Sequence, residues 1–339
     1  MLEKPNLDEG KICACLEGEF RLSVHSLGFL PLGADVNTAV YRAEDKHGAA
    51  YFVKLRGGDF NPVTVTLPKA LNEQGLAQII APLETPSGKL WADMEAYKLI
   101  LYPFVDGQDG YNVMLSAQQW EELGVAIKTL HSASLPPALL KSVPQESYAP
   151  RYRQAVRTFV AQAEAETFTD PAASQLAALL RDQHALVLQL VERAERLGQA
   201  LQAQAPSCVV CHSDLHAGNL HITPQGRLYI VDWDGPILAP KERDLMFFGG
   251  GQGFRGYAPQ EEEALFYRGY GAAQINQAAL AYYRYERIVQ DIAAFCEQIL
   301  ATSEGGEDRA QSLHYVKANF LPGGTIEIAY QADRTSATR

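Results

Sequence analysis

The chain has 339 residues, enough for two domains and a substantial core. Its 29 Lys and Arg stand against 40 Asp and Glu, a net charge of −11, and its 47% hydrophobic and 20% charged content excludes the disordered and collagen-like classes. The acidic balance argues against nucleic acid as a partner, no apolar run approaches the roughly 18–20 residues of a membrane span, and the N-terminus lacks a basic stretch followed by an apolar one. The expectation is a cytoplasmic protein, away from membranes, whose surface favours a cationic small molecule and implies no protein partner.

Taken in chain order, the pattern predicts a short helix over Lys11 to Glu17 and then strands and turns. Phe20 to Phe29, Thr38 to Ala43 and Ala50 to Leu55 are apolar runs, the last two joined by the polar turn Asp45-Lys46-His47-Gly48, which makes a hairpin. Asn61 to Gln74 reads as a helix, with Pro68 expected to kink it or to mark its first turn. Ile79 to Pro82, Leu90 to Asp93 and Tyr97 to Tyr102 are further strand candidates.

Beyond Pro103 the texture turns helical. Ser116-Ala-Gln-Gln119 has capping-box form, followed by Trp120, Leu123, Ile127 and Leu130 at helical spacing. Long Ala- and Leu-rich segments run over Arg153 to Phe168 and Ala172 to Gln204. Two short apolar runs, Cys208 to Cys211 and Leu228 to Val231, interrupt them before a helical tail at Glu261 to Tyr270 and Ile275 to Thr302. Gly249-Gly-Gly-Gln-Gly253 follows a helical stretch and reads as a loop. The pattern describes an α+β chain: a β-rich N-lobe with one helix at 1–102, a hinge at 103–107, and a larger, mainly helical C-lobe at 108–339.

Five cysteines do not make a disulfide framework in a chain of this length. Cys208 and Cys211 lie on one strand-like run, where alternation points their thiols apart, so the pair reads as structural rather than as half a zinc site.

The informative stretch is Val209-Val-Cys-His-Ser-Asp-Leu-His-Ala-Gly-Asn219, followed by Leu228-Tyr-Ile-Val-Asp-Trp-Asp-Gly235. Each is an apolar strand running into polar residues. Asp214, Asn219 and Asp232 present carboxylate and amide oxygens, the donor set of a hard cation such as Mg²⁺. His212-Ser-Asp-Leu-His-Ala-Gly-Asn219 resembles the catalytic loop of the protein-kinase-like phosphotransferases, in the variant of aminoglycoside and choline kinases.

That resemblance implies a bilobal protein-kinase-like fold binding ATP and Mg²⁺. In it, Asp214 is the carboxylate that orients the acceptor hydroxyl and takes its proton, Asn219 and Asp232 hold the metal, and Lys54 in Tyr51-Phe-Val-Lys-Leu55 pairs with the phosphates. It also implies that the glycine-poor turn Leu32-Gly-Ala-Asp-Val-Asn-Thr38 contributes Gly33, Asn37 and Thr38 to the nucleotide, and that Tyr102-Pro-Phe-Val105 is the hinge whose backbone recognises adenine, with Tyr102 and Phe104 binding the nucleotide. The acidic partner of Lys54 stays open, since the N-lobe helix offers only Glu73 near its end and Asp59 just before it.

On the substrate side, Trp233 and Asp234 lie beside Asp232, while Tyr285, Glu286 and Asp291 in Tyr282-Tyr-Arg-Tyr-Glu-Arg-Ile-Val-Gln-Asp291 combine an aromatic ring with carboxylates suited to an amine-bearing ring system. Together with Lys241-Glu-Arg-Asp-Leu-Met-Phe-Phe-Gly-Gly-Gly251, this segment and the Cys211 to Leu220 loop resemble the spectinomycin phosphotransferase subgroup of the aminoglycoside phosphotransferases, over about Gly33 to Ala329. The implied reaction is phosphorylation of a ring hydroxyl of an aminocyclitol antibiotic, with Asp244, His212 and His216 shaping the loop. Three alternatives stay open: a kinase of choline, a sugar or another alcohol; a pseudokinase; and a binuclear metallophosphoesterase, suggested by the His212-Ser-Asp-Leu-His216 cluster but lacking that class's downstream motifs.

Overall fold

The computed structural model describes residues 2–33, 35, 37–250, 253–302 and 306–337. Ala34 and Val36 of the expected phosphate turn, and Gly251 and Gln252 of the glycine-rich loop, lie outside these. The chain divides into two compact units. The first comprises 1–113, 133–143 and 218–236; the second comprises 114–132, 144–217 and 237–339. The single boundary expected at 103–107 is thus not where the contacts divide: the hairpin after the catalytic-loop motif returns to the first unit.

In the first unit, helix α1 (Glu9–Phe20) starts where the Asp8 carboxylate accepts the Gly10 N–H at 2.8 Å, and it ends at Arg21, whose φ of 55° is left-handed. Phe20 therefore closes a helix rather than opening a strand. Strands β1 (Val24–Leu30), β2 (Thr38–Asp45), β3 (Ala50–Gly57), β4 (Ala92–Met94) and β5 (Tyr97–Pro103) form an antiparallel sheet in the order β1-β2-β3-β5-β4.

Strand alternation sorts that sheet's two faces. Tyr41, Ala43, Val53, Leu55, Leu99 and Leu101 pack with Ile12 and Leu16 of α1 in one buried cluster. On the opposite face, Val40, Lys54 and Ile100 are cross-strand neighbours. There Ile100 packs with Leu90 and with Val65 of helix α2 (Val63–Glu73). The helix runs through Pro68 without ending, losing at most one backbone bond. Ile79, expected in a strand, makes only an isolated bridge to Ile230.

A second sheet of this unit, in the order β6-β8-β9, joins β6 (Gln108–Asp109), β8 (Leu220–Ile222) and β9 (Leu228–Ile230).

The second unit is helical: α3 (Ala117–His131), α5 (Arg151–Ala165), α6 (Pro171–Asp182), α7 (His184–Gln204), α8 (Glu242–Leu245), α9 (Pro259–Tyr270), α10 (Gln277–Leu300), α11 (Gly306–Ala318) and α12 (Thr325–Ala337); α4 (Pro137–Ser142) belongs to the first unit. The capping box at Ser116 forms as expected, Gln119 N–H donating to Ser116 Oγ at 3.3 Å and Ser116 N–H to Gln119 Oε1 at 2.8 Å. The long run from 172 to 204 splits at Gln183 into α6 and α7, and α11 and α12 continue past the expected tail. A two-stranded ribbon, β7 (Val209–Cys211) with β10 (Ile237–Ala239), crosses this unit. All five cysteines are free thiols.

Helices α3 and α9 approach so closely that glycine is obligatory at their crossing. A Cβ on Gly269 would lie 1.8 Å from the Glu121 carbonyl oxygen, and one on Gly124 would lie 2.2 Å from that of Phe266. Both obstacles are backbone, which cannot rotate away. Gly269→Ala is therefore expected to destabilise the protein by about 1–3 kcal/mol. Gly18→Ala in α1, where a Cβ meets nothing within 4 Å, should be neutral or stabilising by up to about 1 kcal/mol. Denaturant unfolding of the two variants checks the contrast.

Candidate active site

The loop carrying Asp214 is shaped by one buried carboxylate. Pairing of β7 with β10 brings α8, and with it Asp244, beside the end of β7. Asp244 is fully buried, and accepts the N–H of His212 at 3.0 Å and of Ser213 at 2.7 Å. His131 of α3 reaches the same carboxylate through Nε2 at 3.0 Å and meets the Tyr270 hydroxyl through Nδ1 at 2.9 Å. Ser213 takes a φ of 74°, a conformation non-glycine residues adopt at a cost that these bonds offset. His131, Asp244 and the Cys211 thiol lie within 4.8 Å of one another, but the histidine and carboxylate already bond each other, so this is a clamp rather than a metal centre.

Asp214 itself is half-buried beside two cationic or ionisable groups. The Arg287 guanidinium donates to Oδ1, and His216 Nε2 lies 3.6 Å from Oδ2. Arg287 also pairs with Asp291 one turn on, Nε to Oδ1 at 2.9 Å, and lies over the Phe247 ring. One guanidinium thus stands between two carboxylates with opposite tendencies. Burial opposes the Asp214 charge, but Arg287 and then His216 outweigh it and hold its carboxyl well below the usual range. Burial dominates at Asp291 and pushes its carboxyl up, despite Arg287.

In the first unit, Lys54 projects from β3 onto the face it shares with Val40 and Ile100. Its ammonium donates to Asp232 Oδ1 at 2.8 Å and Asp234 Oδ1 at 2.7 Å. Burial opposes its charge, yet the two carboxylates raise its pKa above that of an ordinary lysine. The partner sought on α2 is thus found on the loop after β9, and Glu73 instead contacts Lys69 at 3.3 Å. Asp234 also faces the Arg56 guanidinium at 3.3 Å, and burial pushes its carboxyl up.

Register places the expected metal ligands. Leu220 pairs with Ile230, and Val231 N–H donates to the Asn219 carbonyl at 3.0 Å, so Asn219 stands opposite the residue preceding Asp232. Asn219 is buried and Asp232 is exposed with a φ of 63°. An amide oxygen and a carboxylate fixed on paired strand ends fit a hard, oxygen-seeking cation such as Mg²⁺.

Of the remaining expected residues, Gly33 has a φ of 81°, Asn37 N–H and Thr38 Oγ1 both donate to Asp35, Tyr102 is the penultimate residue of β5, and Phe104 follows the strand. Tyr102 meets Phe52 edge-on, and Arg42 lies over the Phe104 ring. Four residues expected at the substrate are committed elsewhere. Trp233 is buried with its indole N–H on the Ile230 carbonyl at 3.1 Å. Asp234 serves Lys54 and Arg56. Tyr285 is fully buried and donates to Asp333 at 3.2 Å. Glu286 pairs with buried Arg153 at 3.1 Å, and burial raises its carboxyl to about 7. For Tyr285 and Glu286 the cause is α10, which turns these positions into the helical core, whereas Arg287 and Asp291, at i and i+4, share a different face.

Sequence reasoning missed Arg287 and Arg56. The i,i+4 spacing of Arg287 and Asp291 and the two-residue spacing of Lys54 and Arg56 on one strand were the available signals.

Residues 28–284 match the model of the phosphotransferase enzyme family, and the chain belongs to that family. It is an enzyme of the small-molecule kinase class, with a protein-kinase-like fold. Among solved structures it is similar to spectinomycin phosphotransferase APH(9)-Ia in complex with ADP and spectinomycin, at 32% identity over 97% of this chain and 100% of that one, TM-score 0.89. The AMP-bound complex of the same phosphotransferase matches at 32% identity over 95% of this chain and 98% of that one, TM-score 0.83. The choline kinase LicA from Streptococcus pneumoniae shares the fold, with 16% identity over 95% of this chain and 99% of that one, TM-score 0.59. A comparison with curated protein sequences gives no match. Among the described residues, no helix is long and apolar enough to cross a membrane.

Replacing Arg287 by Gln removes the cation that offsets the burial of Asp214. The Asp214 carboxyl is then expected to titrate higher than it does in the unaltered protein, because burial is opposed only by the histidines. A ¹³C carboxyl titration by NMR checks this. In the unaltered protein, the lowered pKa contributes stability that is present above the ordinary aspartate value of about 3.9 and lost as the pH falls through the folded-state value; in the variant this contribution is smaller.

Proposed function

We propose that the chain is an ATP-dependent O-phosphotransferase that modifies a ring hydroxyl of an aminocyclitol antibiotic, spectinomycin first among candidates, and confers resistance to it from the cytoplasm. The observation that carries the reading is the near-complete likeness, at TM-score 0.89, to a spectinomycin phosphotransferase solved with ADP and spectinomycin. Two features of the chain itself agree with it. The net charge of −11 suits a cationic substrate, and Asp214 and Asp291 bring two carboxylates to one guanidinium.

In this reading Asp214 orients the acceptor hydroxyl and takes its proton as the new P–O bond forms. Its lowered pKa keeps it ionised and hydrogen-bond accepting at neutral pH, and phosphoryl transfer through a loose transition state needs little deprotonation beforehand. Lys54 holds the phosphates, Gly33, Asn37 and Thr38 of the turn before β2 supply further donors, and Tyr102 and Phe104 border the adenine. Asn219 and Asp232 would hold Mg²⁺, which supplies charge neutralisation at the phosphates when bound. Asp291 is retained as a substrate-side carboxylate, because it lies beside Arg287 and Asp214; Trp233, Asp234, Tyr285 and Glu286 are not. Positioning and electrostatics then supply most of the rate.

The test is ADP release from Mg·ATP with spectinomycin, choline and a panel of aminoglycosides as acceptors. Turnover dependent on spectinomycin is expected. Turnover on choline or an aminoglycoside alone would keep the kinase and replace the acceptor. Asp214→Ala is expected to lower kcat by about a hundred- to ten-thousand-fold while nucleotide binding persists. A variant turning over at the unaltered rate would remove Asp214 from the chemistry.

A further inference from the structure

Lys54 and Arg56 leave β3 two residues apart, on the same face of the sheet. One carboxylate joins them: Asp234 receives Lys54 Nζ on Oδ1 at 2.7 Å and Arg56 on Oδ2 at 3.3 Å. The two cationic ends are therefore spaced to share a single small oxyanion, and the oxygens of a phosphate group are separated much as those of a carboxylate are.

Arg56 makes two more contacts, both to the turn before β2. It donates to the Thr38 hydroxyl at 2.7 Å and to the Asp35 carboxylate. Thr38 Oγ1 in turn donates to Asp35 Oδ2 at 3.2 Å, while Asn37 N–H donates to Oδ1 at 2.8 Å. A guanidinium, a hydroxyl and a backbone N–H converging on one anionic group is the donor set by which proteins hold phosphate. Here that set is filled by the chain's own Asp35.

Exposure separates this contact from the one beside it. The Lys54 side chain is 10% exposed, whereas those of Arg56 and Asp35 are 24% and 40% exposed. The Arg56–Asp35 pair is partly solvated and readily exchanged. Two cations here face three carboxylates, Asp35, Asp232 and Asp234, so an arriving phosphate meets a surplus negative charge until Asp35 withdraws.

We propose that Arg56 is a second phosphate-binding cation of the nucleotide site, and that Asp35 occupies its guanidinium as an internal stand-in for phosphate. The proposal rests on the nucleotide-binding reading above and assigns to Arg56 and Asp35 roles that reading does not contain. Arg56 engages the phosphates once Asp35 releases it.

The test compares ADP and adenosine binding by calorimetry. Arg56→Gln is expected to weaken ADP by about tenfold or more, the worth of one charge-assisted hydrogen bond, and to leave adenosine unchanged. Arg56→Lys should recover part of the loss. Asp35→Asn keeps an acceptor for the Asn37 N–H but removes the competing charge, and is expected to tighten ADP severalfold without affecting adenosine. Unchanged ADP affinity in Arg56→Gln, or equal weakening of ADP and adenosine, would overturn the role of Arg56. Weaker ADP binding in Asp35→Asn would overturn the stand-in, and that variant carries the test if Arg56→Gln fails to fold. An unaltered protein that binds neither adenine nor guanine nucleotides would instead overturn the nucleotide reading itself.

Discussion

The buried Asp244 carboxylate is the contact on which the presentation of Asp214 depends. A fully desolvated charge is tolerable only when donors surround it, and Asp244 finds them in the backbone of His212 and Ser213 and in the His131 ring. Those bonds fix the left-handed turn at Ser213 and so determine the direction in which the next residue leaves the backbone. Removing the carboxylate would strand two buried N–H groups as well as the histidine. The short motif Glu242-Arg-Asp-Leu245 thereby serves the loop some thirty residues before it, through the pairing of β7 with β10.

A second regularity runs through both units: in each, a cation stands between two carboxylates. Lys54 lies between Asp232 and Asp234, and Arg287 lies between Asp214 and Asp291. Each set carries one excess negative charge, counted over those three side chains. In each, burial and the cation pull the carboxylates in opposite directions: the cations prevail at Asp214, whereas burial prevails at Asp291 and Asp234.

Legibility in the sequence followed the range of the interactions involved. The hairpin of β2 and β3, the capping box at Ser116 and the strand-to-loop form of the Asp214 and Asp232 motifs were readable because alternation, capping and turn chemistry are local. The partner of Lys54 was not, because Asp232 and Asp234 lie 178 and 180 residues away. On α10, composition alone could not tell Tyr285 and Glu286, committed to the core, from Arg287 and Asp291. Only the neighbours decide which face a residue occupies, and a carboxylate buried against Arg153 looks in sequence like one awaiting an amine. The break at Gln183 was hidden for a similar reason: no proline or glycine marks it.

The division of the chain also has a temporal side. The first unit's larger sheet is encoded within the first 103 residues, but β6, at 108–109, pairs with β8, at 220–222, and β8 pairs with β9, which ends at Ile230. On the ribosome, that small sheet waits while more than a hundred residues of mostly helical sequence are made. Closing it is a late, non-local event, slow relative to the helices that form in the interval. Because Asn219 and Asp232 flank β8 and β9, the oxygen pair that suits a metal is in the last segment of the first unit to be synthesised, well after Lys54.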